Sequence, residues 1–170
     1  MKQVLGKILM FVVIIAIIVV MFLAFGNSQG ARYVYKGNDT HKVIPIKPKE
    51  YQCSECTMDI EEMKYAAEVV FDDGKTYFFD EIGCAILWMK DKSHIAKVWT
   101  KTVDTNRWIE AKSAYYSRVD ATPMGYGFGA YEHKKDGFVG YEKMKTLMLQ
   151  GQNLQDPFVK KALLSKDLAK

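Results

Sequence analysis

An uninterrupted apolar run opens the chain. Residues Ile8 to Phe25 carry no charge and no proline, and the run has the length of about 18 apolar residues that marks a membrane-spanning helix. Lys2 and Lys7 precede the run and, by the positive-inside tendency, hold the N-terminus in the cytoplasm. The pattern predicts an uncleaved single-pass anchor over residues 1–26 in the inner membrane, with the rest of the chain in the periplasm.

Two polar segments flank the part of the chain in which apolar residues are dense. Residues 27–49 are rich in glycine, proline and lysine and have only short extended stretches such as Val43 to Ile46, a composition typical of a tether. Near the C-terminus the chain becomes basic, and Pro157 can begin a short surface helix. The sequence therefore predicts one domain over residues 50–150, between a tether and a C-terminal tail over residues 151–170.

The first half of this domain has the patterns that predict strands and a helix. Ala66 to Phe71 and Thr76 to Phe79 are rich in β-branched and aromatic residues, and the Asp-Asp-Gly-Lys turn between them predicts a hairpin. Ile82 to Met89 has apolar residues at helical spacing, with Asp80 placed to cap the helix. Val98 to Val103 returns as a strand, so the predicted order is β-β-α-β.

The second half weakly repeats this order. The predicted extended stretches are Trp108 to Ala111, Ala114 to Val119 and Tyr126 to Tyr131, and residues 137–149 have helical periodicity. Strands mixed with two or three helices indicate an α+β fold.

Composition limits the partners and the chemistry. The chain has a formal charge of +4 and a pI near 8.8, a balance too mild to argue for a nucleic-acid partner, so the scattered lysines are interpreted as a solvated face. Nine Phe, ten Tyr and three Trp are enough to build one core. Three cysteines, an odd number, leave at least one thiol unpaired or metal-bound in an oxidising compartment. A disulfide scaffold is therefore not expected.

The candidate chemistry lies in the segment Cys53-Ser-Glu-Cys56-Thr-Met58, which holds two of the three cysteines. Thiolate and thioether sulfur select Cu(I), whereas a zinc site has no use for a methionine. The Cys-x-x-Cys spacing is also shared by zinc and thiol-redox sites, and Met58 could pack in a core while Cys53 and Cys56 form a disulfide. On the spacing alone, copper and these alternatives stay open.

Further donors lie outside this segment. Met124 occupies a Pro-Met-Gly turn, an odd place for a purely hydrophobic methionine. Cys84 begins an amphipathic helix, where a free cysteine is commonly a small buried hydrophobe. His133 follows a strand in a lysine-flanked stretch and is the best placed nitrogen donor, while His94 and His41 are interpreted as surface or tether residues.

Three blocks together resemble the NosL family of nitrous oxide reductase accessory proteins, a set of exported copper chaperones. The blocks are Cys53-Ser-Glu-Cys-Thr-Met58, Phe78-Phe-Asp-Glu-Ile-Gly-Cys84 and Thr122-Pro-Met-Gly-Tyr-Gly-Phe-Gly-Ala130. All three in this order, preceded by an export segment, are fairly specific. Two features depart from the family: Thr57 stands where members usually carry glycine, and many members are lipoproteins, whereas this chain carries an apolar helix.

The resemblance implies a fold of two related small β-β-α(-β) units, Cu(I) as the bound ion and no enzymatic chemistry. Cys56 and Met58 match the most characteristic pair of the family. The full set of expected copper-binding residues is Cys53, Cys56, Met58 and Met124, with His133 and Cys84 as secondary candidates. The resemblance also implies delivery of copper to the ABC-type maturation machinery of nitrous oxide reductase, in cells that carry out denitrification.

Two alternatives assign other chemistry to the same cysteines. A thiol–disulfide oxidoreductase would use Cys53 and Cys56, although a thioredoxin-type site lies at a helix N-terminus within a βαβ pattern that this segment lacks. A structural docking module would hold Zn(II) with Cys53, Cys56 and Cys84, and it would need the metal in order to fold.

Overall fold

The computed structural model describes residues 6, 10, 12–21 and 32–167. Residues 12–21 are helical and exposed. The apolar span predicted over residues 8–25 lies partly outside the described residues, and within the described ranges no helix combines the length and the apolar character needed to cross a membrane. The membrane anchor therefore stays a prediction. A separate compact unit begins at Arg32.

This compact unit is a mixed α+β domain, as the sequence predicts. Its strands are β1 (Val34–Tyr35), β2 (Ala67–Phe71), β3 (Thr76–Phe79), β4 (Ile95–Lys101), β5 (Trp108–Glu110), β6 (Tyr115–Tyr116), β7 (Ala130–Tyr131) and β8 (Val139–Gly140). Its helices are α1 (Ile82–Trp88), α2 (Tyr141–Leu149) and α3 (Pro157–Asp167), with short 3₁₀ turns at Met63–Tyr65 and Ala111–Ser113.

An antiparallel five-stranded sheet in the order β1-β3-β2-β4-β5 is the centre of the domain. The predicted hairpin is confirmed, since Ala67 pairs with Phe79 and Val70 with Thr76. Gly74 makes the connecting turn with a φ of 73°, a left-handed conformation that glycine adopts without a Cβ clash. Strand β4 begins three residues earlier than predicted, because Ile95 pairs with Phe71 across a register shift in β2.

Helix α1 covers one face of this sheet. Its last residue, Trp88, packs edge-on or tilted against the rings of Phe71, Tyr77 and Phe79, with centroid separations of 5.9, 4.5 and 5.4 Å. Ile82 and Ile86 on the helix are 1% exposed, and burial of an apolar side chain of this size contributes about 1.5–3 kcal/mol. The apolar residues whose spacing predicts the helix are therefore the residues that form its buried face.

The opposite face of the sheet is covered by residues 38–51, which differs from the tether predicted over residues 27–49. The Asn38 amide donates to Thr76 Oγ1 at 2.9 Å, and Ile44 N–H donates to Glu68 Oε2 at 3.0 Å. The Tyr51 ring packs against that of Phe78 with centroids 4.1 Å apart and the ring planes tilted by 39°. Residues 38–51 are therefore packed on the domain, and this segment is called the strap below. Strand β1, which also lies in the predicted tether, pairs with β3.

The second half of the domain does not repeat the first. Strand β5 joins the large sheet, while β6, β7 and β8 form a small sheet of two-residue strands in the order β7-β6-β8. The expected extension over 126–131 is limited to Ala130–Tyr131, because Gly125 and Gly127 have positive φ values of 73° and 90° and turn the chain. The expectation of two related units is therefore replaced by one large sheet and one small one.

The C-terminal elements also pack more closely than a tail would. Helix α2 begins at Tyr141 rather than residue 137, since Val139–Gly140 pairs with β6. Asn153 is 6% exposed. The predicted helix after residue 157 is confirmed as α3, and Asp156 caps it by accepting the N–H groups of Phe158 and Val159 at 2.8 and 3.1 Å.

Candidate metal centre

The first motif forms a small closed loop. Cys53 N–H donates to the Met58 carbonyl at 2.8 Å, and Thr57 N–H donates to the Cys53 carbonyl at 2.9 Å. Thr57 has a φ of 66°, a left-handed conformation that is rare for a β-branched residue and costs roughly 1–2 kcal/mol. This is the position at which the resembled family carries glycine. The backbone is therefore the one a glycine would adopt, and threonine holds it under strain.

The end of strand β3 fixes this loop in place. Ser54 N–H donates to the Phe78 carbonyl at 2.9 Å, and the packing of the Tyr51 ring against Phe78 holds the residues just before the loop. Gln52 and Asp59 form a β-bridge, and their side chains are joined at 3.1 Å from Nε2 to Oδ1. The first motif is thus held directly against the second, which begins at Phe78.

Four side chains of these two motifs converge. One ligand atom each from Cys53, Cys56, Asp80 and Cys84 lies within 4.8 Å of the other three. Cys53 and Cys84 are completely buried, Cys56 is partly exposed, and all three are free thiols. Cys84 is therefore a central member of the cluster, although the sequence ranks it as a secondary donor.

The three thiols differ in how readily they lose a proton. A hydrogen bond from the Cys84 thiol lowers the pKa of Cys53 to about 7. The same hydrogen bond, together with burial, raises the pKa of Cys84, while burial raises that of Cys56 to about 12. In the absence of metal the hydrogen-bonded Cys53–Cys84 pair therefore gives up one proton more readily than the Cys56 thiol does.

Asp80 has a different role from the helix cap that the sequence predicts. Glu81 occupies the N-cap position of α1, and no side-chain hydrogen bond caps this end of the helix. The Cys56 thiol donates to Asp80 Oδ2 at 3.3 Å, while Oδ1 is buried with no hydrogen-bond partner among the described residues. The sequence signal for this role is that Asp80 lies four residues before Cys84, where a strand leads into a helix. A carboxylate at such a position more commonly caps the helix, so the signal does not by itself indicate a metal ligand.

Glu81 joins the third motif to the second. Its Oε2 accepts the Met124 N–H at 2.8 Å, and its Oε1 is buried with no hydrogen-bond partner in the described part of the chain. Burial raises the pKa of Glu81 to about 7. The Tyr126 ring lies directly over Gly83, where a Cβ would be 2.4 Å from Tyr126 Cδ2. All three motif blocks therefore meet at the N-terminal end of α1, and sequence reasoning missed both Glu81 and Tyr126.

The other predicted donors lie around or outside the thiol cluster. Met58 is 46% exposed and lines an open cleft beside Asp80. Met124 packs partly buried against the core, with its carbonyl accepting a hydrogen bond from Gln155. His133 is exposed, and its Nδ1 lies 2.9 Å from Asp104 Oδ2. Of the two secondary candidates, the cluster therefore contains Cys84 but not His133. Copper binding by Met58 or Met124 stays a prediction.

This donor set suits a soft or borderline cation. Two or three thiolates with a nearby thioether match the preference of Cu(I), which favours low coordination numbers with sulfur. Three thiolates with one carboxylate oxygen also match the four-coordinate geometry of Zn(II). The residues therefore fit a metal ion, and copper and zinc are the two cations between which experiment must distinguish.

Comparison with known proteins finds no matching protein-family model and no matching curated protein. Among solved structures, this chain is similar to the crystal structure of the copper chaperone NosL from Shewanella denitrificans, with a TM-score of 0.49 and 18% sequence identity. The similarity covers 61% of this chain and 85% of that one. The neighbour is a NosL protein, the family that the three sequence blocks resemble.

Proposed function

We propose that this protein is a Cu(I) chaperone rather than an enzyme. The observation that carries the proposal is the convergence of Cys53, Cys56 and Cys84 with Asp80 within 4.8 Å. Three free thiols at this distance provide the sulfur ligands that Cu(I) prefers over harder cations. The copper ion is the cargo of the protein.

The position of the cluster favours transfer over permanent storage. Cys53 and Cys84 are shielded from solvent, whereas Cys56 is partly exposed and Met58 stands in an open cleft. An incoming ligand can therefore approach the ion from one side and replace the protein ligands one at a time. A neutral thioether at the entrance adds a weak donor that is easily exchanged.

The cellular role rests on the resemblance of the three motif blocks to NosL. The protein is anchored in the inner membrane by its N-terminal apolar run, with its domain in the periplasm. It delivers copper to the ABC-type machinery that matures nitrous oxide reductase. In a denitrifying cell, loss of the thiol cluster leaves this enzyme poor in copper.

Equilibrium competition with a chromogenic Cu(I) chelator tests the proposal. The reduced protein, kept under anaerobic conditions, is expected to take Cu(I) from the chelator, and a Cys53→Ala/Cys56→Ala/Cys84→Ala variant is expected to lose this ability. X-ray absorption at the copper edge then counts the sulfur neighbours. Equal competition by the wild type and the triple variant would show that the cluster is not the copper site.

A structural zinc module is the second candidate, favoured by the oxygen donor of Asp80. Such a module needs its metal to fold, whereas a chaperone stays folded when empty. Circular dichroism of the metal-free and Zn-loaded protein separates the two. An unfolded metal-free domain that folds on addition of Zn(II) would support the module.

The oxidoreductase alternative fits the thiol geometry less well. Cys53 has the lowered pKa of a nucleophile but is completely buried, while the more accessible Cys56 has a raised pKa. A reactive thiol needs thiolate character and access together. Insulin reduction that depends on Cys53 would restore this alternative.

A further inference from the structure

We infer that the cleft beside the thiol cluster docks a basic polypeptide segment that carries a sulfur donor, belonging to the protein with which copper is exchanged. The inference rests on the proposed chaperone function and names the chemistry of the partner. It follows from four features of the cleft: its position, its charge, an unpartnered carboxylate oxygen in its wall and an exposed thioether.

The cleft borders the metal centre at Asp80, which belongs both to the cluster and to the wall of the cleft. It has a volume of about 600 Å³, and the residues of its wall that matter here are Met58, Asp59, Glu61, Glu62, Asp80 and Pro123. Met58 comes from the first motif, Asp80 from the second and Pro123 from the third. A ligand that occupies this cleft therefore touches every motif that builds the centre.

The cleft is acidic on a protein that is basic overall. Three exposed carboxyl side chains line it, those of Asp59, Glu61 and Glu62, whereas the chain as a whole has a formal charge of +4. Lys49 pairs with Glu61 at 3.0 Å, but both side chains are 63% exposed, and exposed pairs contribute little. Clustered like charges favour a cationic partner and raise its rate of association.

Asp80 supplies an independent sign that the cleft receives a ligand. The residue is 2% exposed, and its Oδ1 has no hydrogen-bond partner in the described protein. A buried carboxylate oxygen without a donor is costly. A lysine or arginine side chain that enters the cleft would supply the missing donor.

The exposed thioether indicates a sulfur ligand on the partner. A methionine 46% exposed among acidic side chains contributes little to the core, but it is available to an ion in transit. Because Cys53 and Cys84 are buried, an incoming thiol or thioether must approach by way of Cys56 and Met58. The partner segment therefore combines lysine or arginine with a nearby cysteine or methionine.

Two synthetic peptides test this inference on the full-length protein. Both carry a pair of methionines, which in one peptide are flanked by lysines and in the other by glutamates. Peptide binding to the metal-free protein is measured by calorimetry, and Cu(I) transfer from the loaded protein by stopped flow. We expect the lysine peptide to bind and to accept copper about tenfold faster at low salt, with the preference lost at high salt.

Charge variants locate the effect. Glu61→Gln/Glu62→Gln is expected to remove most of the preference for the lysine peptide while leaving the equilibrium Cu(I) affinity within about twofold. The matched control, Asp136→Asn/Glu142→Gln, lies outside the cleft and is expected to keep the preference. Equal behaviour of the two peptides, or a preference that survives in the cleft variant, would overturn the inference. Failure of the unmodified protein to bind Cu(I) would instead refute the chaperone function. The two failures can be distinguished, because peptide binding is measured separately on the metal-free protein.

Discussion

The Cys56 thiol donates a hydrogen bond to Asp80 Oδ2 across 3.3 Å, which joins two motifs through residues 24 positions apart in the chain. The next residue, Glu81, accepts the Met124 N–H from the third motif. Two consecutive carboxylates at the start of α1 therefore each hold a different loop. This junction explains why three short blocks, distant in sequence, build one centre.

The cysteines are expected to dominate copper affinity. Cys53→Ser, Cys56→Ser and Cys84→Ser should each weaken Cu(I) binding by about tenfold or more, which is about 1.4 kcal/mol or more. Met58→Leu should weaken it less, because a thioether is neutral and a thiolate is not. Chelator competition under anaerobic conditions measures these affinities, with Met63→Leu as the control. Wild-type affinity in Cys84→Ser would return the site to the set of donors predicted from the sequence.

Copper affinity should fall as the pH is lowered from 8 to 6. Cys53, with a pKa of about 7, becomes protonated in this range, so the metal must displace its proton as well. Cys56, with a pKa of about 12, is protonated throughout and releases its proton at every pH. We expect apparent affinity to drop about tenfold or more per pH unit, and more steeply below pH 7. A flat profile would indicate binding dominated by Met58 and Met124.

Strain at Thr57 should be measurable as stability. Glycine adopts a φ of 66° freely, so Thr57→Gly is expected to raise the free energy of unfolding by about 1 kcal/mol, net of the extra freedom it gives the unfolded chain. Urea denaturation of the metal-free protein measures the change. Thr57→Ala, which keeps the Cβ but removes its branch, should gain less than half as much. A glycine variant less stable than the wild type would show that the side chain of Thr57 compensates for its backbone.

Patterns over a few neighbouring residues predicted the elements that are formed by neighbouring residues. The hairpin and helix α1 follow from alternation and helical spacing over a few residues, and the structure confirms both. The strap could not be found in this way, because residues such as Asn38 become buried only against a sheet formed by later residues. The contact between Asp80 and Cys56 could not be predicted for the same reason, because it forms only when two distant loops pack together. Sequence identifies the donors, but the distance between two loops is set by tertiary packing.

Glu68 should make stability depend on pH. This glutamate is completely buried under the strap, and burial raises its pKa from 4.5 to about 8. The folded protein therefore holds a proton that the unfolded chain releases, so the contribution of Glu68 to stability is fully present below about pH 4.5 and is lost as the pH rises through about 8. Relative to the wild type, Glu68→Gln should gain about 1.4 kcal/mol per pH unit between pH 5 and pH 8.

Urea unfolding at pH 5, 6, 7 and 8 measures this difference. Gln150→Ala is the control, because Gln150 is exposed at the end of α2 and neither side chain titrates, so its replacement should give a difference that does not change with pH. A constant difference between wild type and Glu68→Gln would mean that Glu68 is already ionised in the folded protein at pH 5.

The close approach of Tyr126 to Gly83 should couple these two residues. A methyl group at position 83 would lie 2.4 Å from Tyr126 Cδ2 and 3.1 Å from Glu81 Oε1, so Gly83→Ala must displace the ring that packs beside Cys84. Overpacking of this kind costs about 1–3 kcal/mol, and the displaced ring should also weaken Cu(I) binding. Gly140→Ala is the matched control, since a Cβ there has no neighbour within 4 Å.

A double-mutant cycle separates this contact from an effect on the helix itself. In a Tyr126→Ala background the added methyl meets no ring, so Gly83→Ala should cost much less than it does in the wild type. Unfolding by urea and Cu(I) competition are both measured for the four proteins of the cycle. An equal cost in the two backgrounds would place the effect within helix α1 rather than at its contact with the third motif, and Tyr126 would then have no part in shaping the centre.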